Sequence, residues 1–420
     1  MFNQSLYLIQ KLKRTFFPFY KNKDLKFIFK KLQDGIPEDK VAARFVGGCV
    51  RNYLLNEKID DIDIATILTT DQIKQKLKNT NLKIIDTGVK HGTVTILSGN
   101  HKVELTTLRK DIKTDGRHAE VEYIENWSQD SERRDFTINA IYLDINGKIF
   151  DPQMGKNDLK KNNVKFIGDP QKRIKEDYLR IIRFIRFKIM YNNSVEQTSS
   201  EAIKQNLDGI KQISKERILT ELLKILDLKN FLKINQSSDL KELFSLIFPE
   251  FLYLHRLERL KKIYNKFQLD RDILLGILLI DEKDNQEYFL HKYKVSNNIN
   301  EALEKFSKNL KKINVDNNFF EKNLIKNLYL NGKKHLIALN LINYSINSKI
   351  KLNDFNKNLK KILKMKVPLF PIDGKFLKQK GMQEGQFLGD VLKTLEKEWI
   401  KNNFKISNEK IDEIIKTKSN

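Results

Sequence analysis

The chain of 420 residues has almost no cysteine and no long apolar segment. Cys49 is its single cysteine, which excludes an internal disulfide and favours a reducing compartment such as the cytoplasm. The six histidines are scattered, and no Cys/His cluster has zinc-ligand spacing, so a structural zinc is not expected. The longest strongly apolar run, Ile273 to Ile280, is far too short to span a bilayer, and we expect no membrane partner.

Acidic residues are scarce relative to basic ones. The chain has 78 Lys and Arg against 54 Asp and Glu, a formal net charge of +24. A protein this basic usually binds a polyanion, most commonly nucleic acid. Lysines that are merely solvated on helix faces would give the same excess, so charge alone names no partner. Residues 251–420 share the bias, with 34 Lys and Arg against 20 Asp and Glu.

The pattern of apolar residues changes near residue 151. Between about 41 and 151, short β-like runs alternate with turns and short helical segments, which predicts an α+β head domain with a mixed sheet. Beyond it, apolar residues recur at helical spacing almost to the end, which predicts an all-α remainder. We predict four parts: a basic N-terminal helix or arm over 1–40, the head over 41–151, a helical neck over 152–230, and a helical body and tail over 231–420.

The same patterns predict individual elements. Strand-like runs are Arg44–Val46, Lys83–Ile85, Thr93–Leu97, Lys102–Thr107, Val121–Tyr123 and Thr137–Asp144. Helical runs are Thr70–Lys78, Lys172–Met190, Glu216–Leu226, Asp239–Leu246, Phe251–Phe267, Ile299–Ile313 and Asn323–Ile346.

Two adjacent glycines end the first β-like run of the head. Gly47 and Gly48 follow Arg44–Val46 and precede a helical pattern. Glycines at a strand-to-helix turn let backbone N–H groups approach a phosphate, and Arg51 would pair with the same group. An isolated pair of glycines is more often an ordinary turn that needs a positive φ. The glycine pair therefore indicates a phosphate-binding turn only in combination with the residues that follow it.

An acidic and apolar alternation follows about a dozen residues later. In Asp60-Asp61-Ile62-Asp63-Ile64, the period of two puts Asp61 and Asp63 on one face of a strand. Paired carboxylates form a hard oxygen site for Mg²⁺, and two such ions would activate an attacking hydroxyl and neutralise a leaving pyrophosphate. Glu104, in another β-like run, is the candidate for a third catalytic carboxylate. A lone Asp-x-Asp is a weak signal, but the glycine pair and a strand Glu strengthen it.

With these residues, the chain resembles the bacterial class II tRNA nucleotidyltransferases and poly(A) polymerases of the polymerase-β-like superfamily. The resemblance covers residues from about 40 to 230. It is carried by GGCVRNYLL at 47–55 with DIDIAT at 61–66, RRDFTINA at 133–140, EDYLRIIRFIRF at 176–187 and SKERILTEL at 214–222. Four motifs in order make chance similarity very unlikely. Two departures are Asn52, where the family usually has Asp, and Asn56, where it usually has Gly.

The resemblance implies roles for several residues. It implies a polymerase-β-like palm for the head, with Arg134 and Asp135 holding the sugar and phosphates of the nucleotide. It also implies that Asp177 and Arg180 read the incoming base, while residues 214–222 brace the neck without a catalytic role.

The chemistry of Asp177 and Arg180 agrees with base reading. Three positions apart on a predicted helix, the two side chains would share one face. Arg180 only donates hydrogen bonds and Asp177 only accepts them, which matches cytosine and adenine and opposes guanine and uracil. A plain surface ion pair is the alternative. Arg183 is the next candidate for nucleotide binding in the neck.

We expect an enzyme that adds C, C and A to the 3′ end of tRNA from CTP and ATP, with two Mg²⁺ ions and no obligate protein partner. Two segments favour this product within the family: residues 104–118 resemble the flexible loop of complete CCA-adding enzymes, and residues 368–400 resemble the tail of α-proteobacterial ones. A poly(A) polymerase and a partial enzyme that adds only C or only A stay open. An inactive RNA-binding protein on the same scaffold is a further alternative, although binding alone would not require Asp61, Asp63, Glu104, Asp177 and Arg180 together.

Overall fold

A computed structural model of the protein describes residues 18–88, 92–98, 101–115, 118–191, 195–261, 263 and 269–419. The chain divides after Pro249 into two compact units. The first unit contains all the described strands, and the described part of the second unit is helical. None of the described helices is both long enough and apolar enough to cross a membrane.

A seven-stranded mixed sheet forms the centre of the head. Its order is β3-β4-β5-β2-β1-β8-β9. The strands are β1 (Ala43–Val46), β2 (Ile62–Thr66), β3 (Lys83–Gly88), β4 (Thr93–Ser98), β5 (His101–Thr107), β8 (Tyr142–Leu143) and β9 (Ile149–Phe150). β2 runs parallel to β5, and β1 runs antiparallel to both β2 and β8. This arrangement places the acidic strand β2 in the middle of the sheet, with Asp63 opposite Glu104.

The N-terminal helix packs against this sheet. α1 (Lys23–Gln33) starts at Asn22, whose side chain accepts hydrogen bonds from the N–H groups of Asp24 and Leu25. Its buried face includes Phe29, whose ring centroid lies 4.5 Å from that of Phe45 in β1. The predicted basic arm is therefore a packed helix over these residues, and residues 1–17 lie outside the described range.

A separate two-stranded ribbon follows the sheet in sequence. β6 (Arg109–Asp115) pairs with β7 (His118–Tyr123), with a register shift between Asp111 and Lys113. The predicted loop over 104–118 is thus largely strand. Gly116 and Arg117, which belong to this predicted flexible loop, lie outside the described residues.

Nine α-helices complete the described part of the first unit. They are α2 (Gly48–Leu54), α3 (Thr70–Leu77), α4 (Trp127–Glu132), α5 (Gly155–Lys160), α6 (Pro170–Glu176), α7 (Leu179–Tyr191), α8 (Gln197–Gln205), α9 (Lys215–Leu226) and α10 (Ser238–Ile247). Helix α3 carries the capping box formed by Thr69 and Gln72. Asn56, just beyond α2, has a φ of 58°, and Asn is the residue that most readily replaces Gly in this left-handed region.

The prediction of one continuous neck helix over Lys172–Met190 is wrong, because the helix is broken at Asp177. Asp177 has an extended backbone (φ −155°, ψ 106°), and its Oδ1 accepts a hydrogen bond from the N–H of Leu179 at 3.1 Å. Asp side chains commonly satisfy free N–H groups at the start of a helix, so Asp177 caps α7 instead of continuing α6. Asp177 and Arg180 consequently do not share one helix face.

The predicted strand over Thr137–Asp144 is also only partly correct. Residues Thr137–Asn139 form a 3₁₀ turn, and only Tyr142–Leu143 is strand. Asp135 Oδ1 accepts hydrogen bonds from the N–H of Phe136 and from Asn139 Nδ2, which bends the chain at this point.

Ten α-helices form the described part of the second unit. They are α11 (Leu257–Leu260), α12 (Arg271–Leu279), α13 (Asn285–Tyr293), α14 (Asn297–Val315), α15 (Leu324–Asn331), α16 (Lys333–Ile346), α17 (Leu352–Lys364), α18 (Gly374–Gln379), α19 (Gln386–Lys401) and α20 (Asn408–Ser419). The predicted helix over Asn323–Ile346 is broken at Gly332, which has a φ of 81°. The predicted helix over Phe251–Phe267 is reduced to a 3₁₀ turn at Leu254–Arg256 and α11; its residues 262 and 264–268 lie outside the described range.

Candidate active site

The glycine turn brings the backbone close to the acidic strand. β1 ends at Val46, α2 starts at Gly48, and Gly47 between them has a φ of 75°. A Cβ at Gly47 would lie 3.6 Å from Asp63 Oδ2, which is ordinary contact, so the positive φ rather than lack of space favours glycine. Both glycines line a cavity of about 440 Å³.

Two of the three predicted carboxylates face this cavity. Asp61, just before β2, and Asp63, within it, both line the cavity, whereas Glu104 is not among the lining residues. Glu104 lies opposite Asp63 on β5 and accepts a hydrogen bond from Lys102 Nζ at 2.7 Å. Burial and the charge of Glu104 raise the pKa of Asp63 to about 6, and the charge of Asp61 also raises it. Crowding of negative charge at this point favours a bound cation.

The carboxylates fit a magnesium ion. Among the described residues, no three His, Cys, Asp or Glu side chains come together as a complete metal site. Mg²⁺ commonly uses only one or two protein carboxylates and takes its other oxygens from water and substrate phosphates. Asp61 and Asp63 supply the carboxylates that such a site needs.

Five cationic side chains line the same cavity. They are Arg51, Arg134, Arg183, Arg186 and Lys224. Guanidinium groups bind phosphate oxygens through paired hydrogen bonds, so the cluster suits a triphosphate. Sequence reasoning selected the first three and missed Arg186 and Lys224. The spacing of three between Arg183 and Arg186 could have indicated Arg186, because residues three apart share a helix face. No local pattern indicated Lys224, which lies on α9.

Arg134 is held by a fully buried carboxylate. Asp130 Oδ2 accepts hydrogen bonds from Arg134 Nη2 at 3.1 Å and from Tyr142 Oη at 2.8 Å, and its Oδ1 accepts one from Arg133 Nε at 2.8 Å. Burial alone would raise the pKa of Asp130, but the charges of Arg134 and Arg133 and the Tyr142 hydrogen bond lower it to about 2. Asp130 therefore stays ionised and fixes the guanidinium of Arg134 at the cavity.

Asp135 likewise positions its neighbours. Its Oδ2 accepts a hydrogen bond from Arg183 Nε at 2.7 Å, and its Oδ1 accepts one from Asn139 Nδ2 at 2.9 Å. Asn139 Oδ1 in turn accepts a hydrogen bond from Arg51 Nη1. Burial opposes ionisation of Asp135, but Arg183 and these hydrogen bonds lower its pKa to about 2. The carboxylate thus orients Arg183 directly and Arg51 through Asn139.

Glu221 anchors the remaining cations and was missed by sequence reasoning. It lies on α9, and only 4% of its side chain is exposed. Its Oε2 accepts a hydrogen bond from Arg186 Nε at 2.7 Å, its Oε1 accepts one from Lys224 Nζ at 3.0 Å, and Arg183 Nη1 lies 3.8 Å from Oε1. One carboxylate therefore holds three of the five cations at the cavity.

Replacing Glu221 with Gln is expected to raise the KM for nucleotide about tenfold. The side chain keeps its shape, but three cations lose the charge that orients them, and hydrogen bonds to charged groups contribute about 1.5–3 kcal/mol each. Steady-state incorporation of labelled nucleotide measures the change. Glu242→Gln, on a surface pair with Lys204, is the matched control and should leave KM unchanged. An unaltered KM in Glu221→Gln would contradict the anchoring role.

Comparisons with known proteins agree with this geometry. Two family models match: "Poly A polymerase head domain" over residues 43–165 and "Probable RNA and SrmB- binding site of polymerase A" over residues 194–254. The chain is 30% identical over 416 residues to the mitochondrial CCA tRNA nucleotidyltransferase 1 of Danio rerio, covering 95% of this chain and 93% of that protein. It is 33% identical over 389 residues to the CCA-adding enzyme of Ligilactobacillus salivarius, covering 89% of this chain and 93% of that enzyme.

The chain belongs to the CCA tRNA nucleotidyltransferase family. The resemblance found in the four motifs is therefore confirmed, and so is the prediction of a nucleotidyltransferase. The fold agrees as well: the crystal structure of the Bacillus stearothermophilus CCA-adding enzyme in complex with CTP superposes with a TM-score of 0.68. That likeness covers 95% of this chain and 98% of the other at 22% identity. The predicted mixed-sheet head followed by helices is confirmed.

In this nucleotidyltransferase, Asp177 and Arg180 stand apart from the residues that line the cavity. Asp177 Oδ2 accepts a hydrogen bond from Arg217 Nη2 at 2.8 Å. The buried Arg180 donates from Nη1 to the carbonyl of Arg173 at 2.8 Å and to Glu176, while its backbone N–H donates to the carbonyl of Asp177 at 3.0 Å. Burial lowers the pKa of Arg183, but Asp135 and Glu221 together raise it above its ordinary value, and the charge of Asp177 adds a smaller contribution in the same direction. Their role in base reading stays a prediction.

Proposed function

We propose that this chain adds C, C and A to the 3′ end of tRNA from CTP and ATP and releases pyrophosphate. The observation that carries the proposal is the cavity in which Asp61 and Asp63 meet five cationic side chains. Carboxylates that favour a cation beside a cluster of phosphate-binding groups are what nucleotidyl transfer requires. The related Bacillus stearothermophilus enzyme was solved with CTP, which supports a nucleoside triphosphate as the ligand.

The residues of the cavity divide the work. Divalent cations held by Asp61 and Asp63, with Mg²⁺ as the expected ion, would lower the pKa of the attacking 3′-hydroxyl and neutralise the leaving pyrophosphate. Arg51, Arg183 and Arg186 would bind the triphosphate, while Gly47 lets the backbone approach it. Glu104 is proposed to contribute through the charge it places beside Asp63 rather than from the cavity wall.

Base selection is proposed to rest on Asp177 and Arg180. Donors on Arg180 and acceptors on Asp177 match cytosine and adenine and oppose guanine and uracil. The basic helices of residues 251–420 are proposed to bind the tRNA backbone, and the protein is proposed to act in the cytoplasm. The head-domain model is named for poly(A) polymerase, whereas the relatives matched along the whole chain are CCA enzymes, which favours CCA as the product.

Product sequencing tests this function directly. Purified protein is incubated with tRNA that ends at the discriminator base, with CTP, ATP and Mg²⁺, and the 3′ ends are sequenced. Addition of C, C and A followed by a stop is the expected result. Long A runs would favour poly(A) polymerase, and products ending in CC alone would identify a partial enzyme. Lack of any incorporation would favour an inactive RNA-binding protein.

Asp177→Ala and Arg180→Ala are expected to relax base choice. Removing either partner leaves the base edge unpaired, so the preference for CTP over UTP, measured as the ratio of kcat/KM values, should fall about tenfold or more. Lys175→Ala, an exposed change on α6, is the matched control and should keep the wild-type ratio. Unchanged CTP-to-UTP ratios in both Ala variants would mean that another neck residue reads the base, with Arg183 as the next candidate.

A further inference from the structure

A second cavity, of about 740 Å³, lies within the helical second unit. It is separate from the nucleotide cavity of the first unit, and the site described above does not use it. Its lining includes side chains from the 3₁₀ turn at Leu254–Arg256, from α14 and from α16. Its depth is polar, with Arg256, Ser307 and Asn343 all at least nine-tenths buried.

Asn343 is the residue that most clearly points to a ligand. It is 6% exposed and lines the cavity, yet its side-chain amide has no hydrogen-bond partner among the described residues. Polar groups that line a cavity in this way usually form their hydrogen bonds with a ligand or with water. An Asn amide offers one acceptor and two donors in a plane, which is the pattern that pairs with the edge of a base.

A flat cationic platform lies in the same cavity. The guanidinium carbon of Arg256 is 3.7 Å from the ring centroid of Tyr253. Arg256 Nη1 is fixed by the carbonyls of Ile277 and Ile280, each at 2.8 Å, and Tyr253 Oη donates to Asp281 Oδ2 at 2.8 Å. Bases that leave a stack in RNA are commonly received by aromatic rings and guanidinium planes held rigidly in this way.

The rim of the cavity is basic. Lys283, Lys311 and Lys349 line it, and Lys311 forms an ion pair with Asp284. Of the two carboxylates that also line it, Asp281 is fully engaged by Tyr253 and by the N–H groups of Lys283 and Asn285, and Glu282 is exposed. Four cations against two carboxylates leave the cavity net positive, which suits a phosphate beside the base.

We infer that this cavity binds one unstacked nucleotide of the RNA substrate, with its base at Asn343 and the Tyr253–Arg256 platform and its phosphate at the lysine rim. The inference rests on the proposed function for the identity of the RNA as tRNA. An RNA nucleotide is favoured over a free one because the whole second unit is basic, and the rest of the RNA would follow that surface.

The test compares Asn343→Leu and the double change Lys283→Gln, Lys349→Gln with wild type. Binding of tRNA lacking CCA is measured by filter binding in EDTA without CTP, so that transfer itself plays no part. Each variant is expected to raise the dissociation constant for tRNA about tenfold, because one stacked and hydrogen-bonded base is lost. Lys308→Gln, an exposed change on α14 outside the cavity, is the control and should bind as wild type.

Two further measurements separate the explanations. The melting temperature of Asn343→Leu should stay close to that of wild type, because the change breaks no side-chain hydrogen bond within the described residues. Weaker tRNA binding would then not reflect misfolding. Nucleoside monophosphates are titrated in EDTA to detect a free nucleotide. Unchanged tRNA binding in both variants overturns the inference. A second contrary result would be that Asn343→Leu abolishes binding of free monophosphates but leaves tRNA binding normal. CTP incorporation is assayed alongside: normal incorporation with unchanged binding contradicts only this inference, whereas no incorporation by wild type contradicts only the proposed function.

Discussion

Asp61→Asn and Asp63→Asn are each expected to lower nucleotide incorporation by about a thousandfold or more. A bound divalent ion contributes several kcal/mol to stabilising a phosphoryl-transfer transition state, and about 4 kcal/mol corresponds to a thousandfold in rate. Asn keeps the size of the side chain but removes the charge that holds the ion. Incorporation of labelled CTP into tRNA with Mg²⁺ measures the loss, and filter binding should show that affinity for tRNA is retained.

Asp60→Asn is the matched control within the same acidic run. Asp60 also lines the cavity, but it pairs with Lys58 at 2.5 Å and 65% of its side chain is exposed. Its loss should change incorporation little, because an exposed pair is screened by solvent. Near-normal turnover in Asp63→Asn would disprove the metal assignment. Equal losses in Asp60→Asn and Asp61→Asn would show that the run acts through its total charge and not through chosen ligands.

The parts of the site that sequence reasoning identified are those set by local spacing. The period of two that places Asp61 and Asp63 together is a property of any strand, and the glycine turn needs only the residues beside it. Glu104 was chosen from its own strand, and the parallel pairing of β2 with β5 then places it opposite Asp63. Short-range periodicity and turn chemistry therefore suffice for this half of the cavity.

The parts that it missed depend on contacts between distant residues. Glu221 meets Arg186 from 35 positions away, and no local pattern distinguishes it from the other acidic residues on the helices. The break at Asp177 illustrates a different limit. Helical periodicity continues through it, but a capping hydrogen bond to Leu179 competes with the helix and wins. Such a competition is decided by the surrounding fold, in this case partly by Arg217, which holds the other carboxylate oxygen.

Asp130→Asn is expected to lower the free energy of unfolding of the first unit by about 3 kcal/mol at neutral pH. The fully buried carboxylate compensates Arg133 and Arg134, and removing one partner of a buried ion pair leaves the others without compensation. An Asn amide would also turn N–H donors towards the donors of Arg134 and Tyr142. Trp127 packs against Tyr142, with ring centroids 5.6 Å apart, so its fluorescence reports on this region. Urea unfolding in a Trp399→Phe background, where Trp127 is the remaining tryptophan, measures the change.

The pH dependence of the Asp130→Asn effect separates lost charge from altered packing. The folded state holds the pKa of Asp130 at about 2, below its ordinary value of 3.8. The carboxylate therefore stabilises the fold fully above the unfolded value, and this contribution, about 2 kcal/mol, is lost as the pH falls towards 2. The stability difference between wild type and Asp130→Asn should thus narrow between pH 5 and pH 3. Asp208→Asn, on an exposed pair with Lys211, should show little difference at either pH. A constant stability difference would mean that the N–H donors of the introduced amide, and not the lost charge, cause the destabilisation in Asp130→Asn.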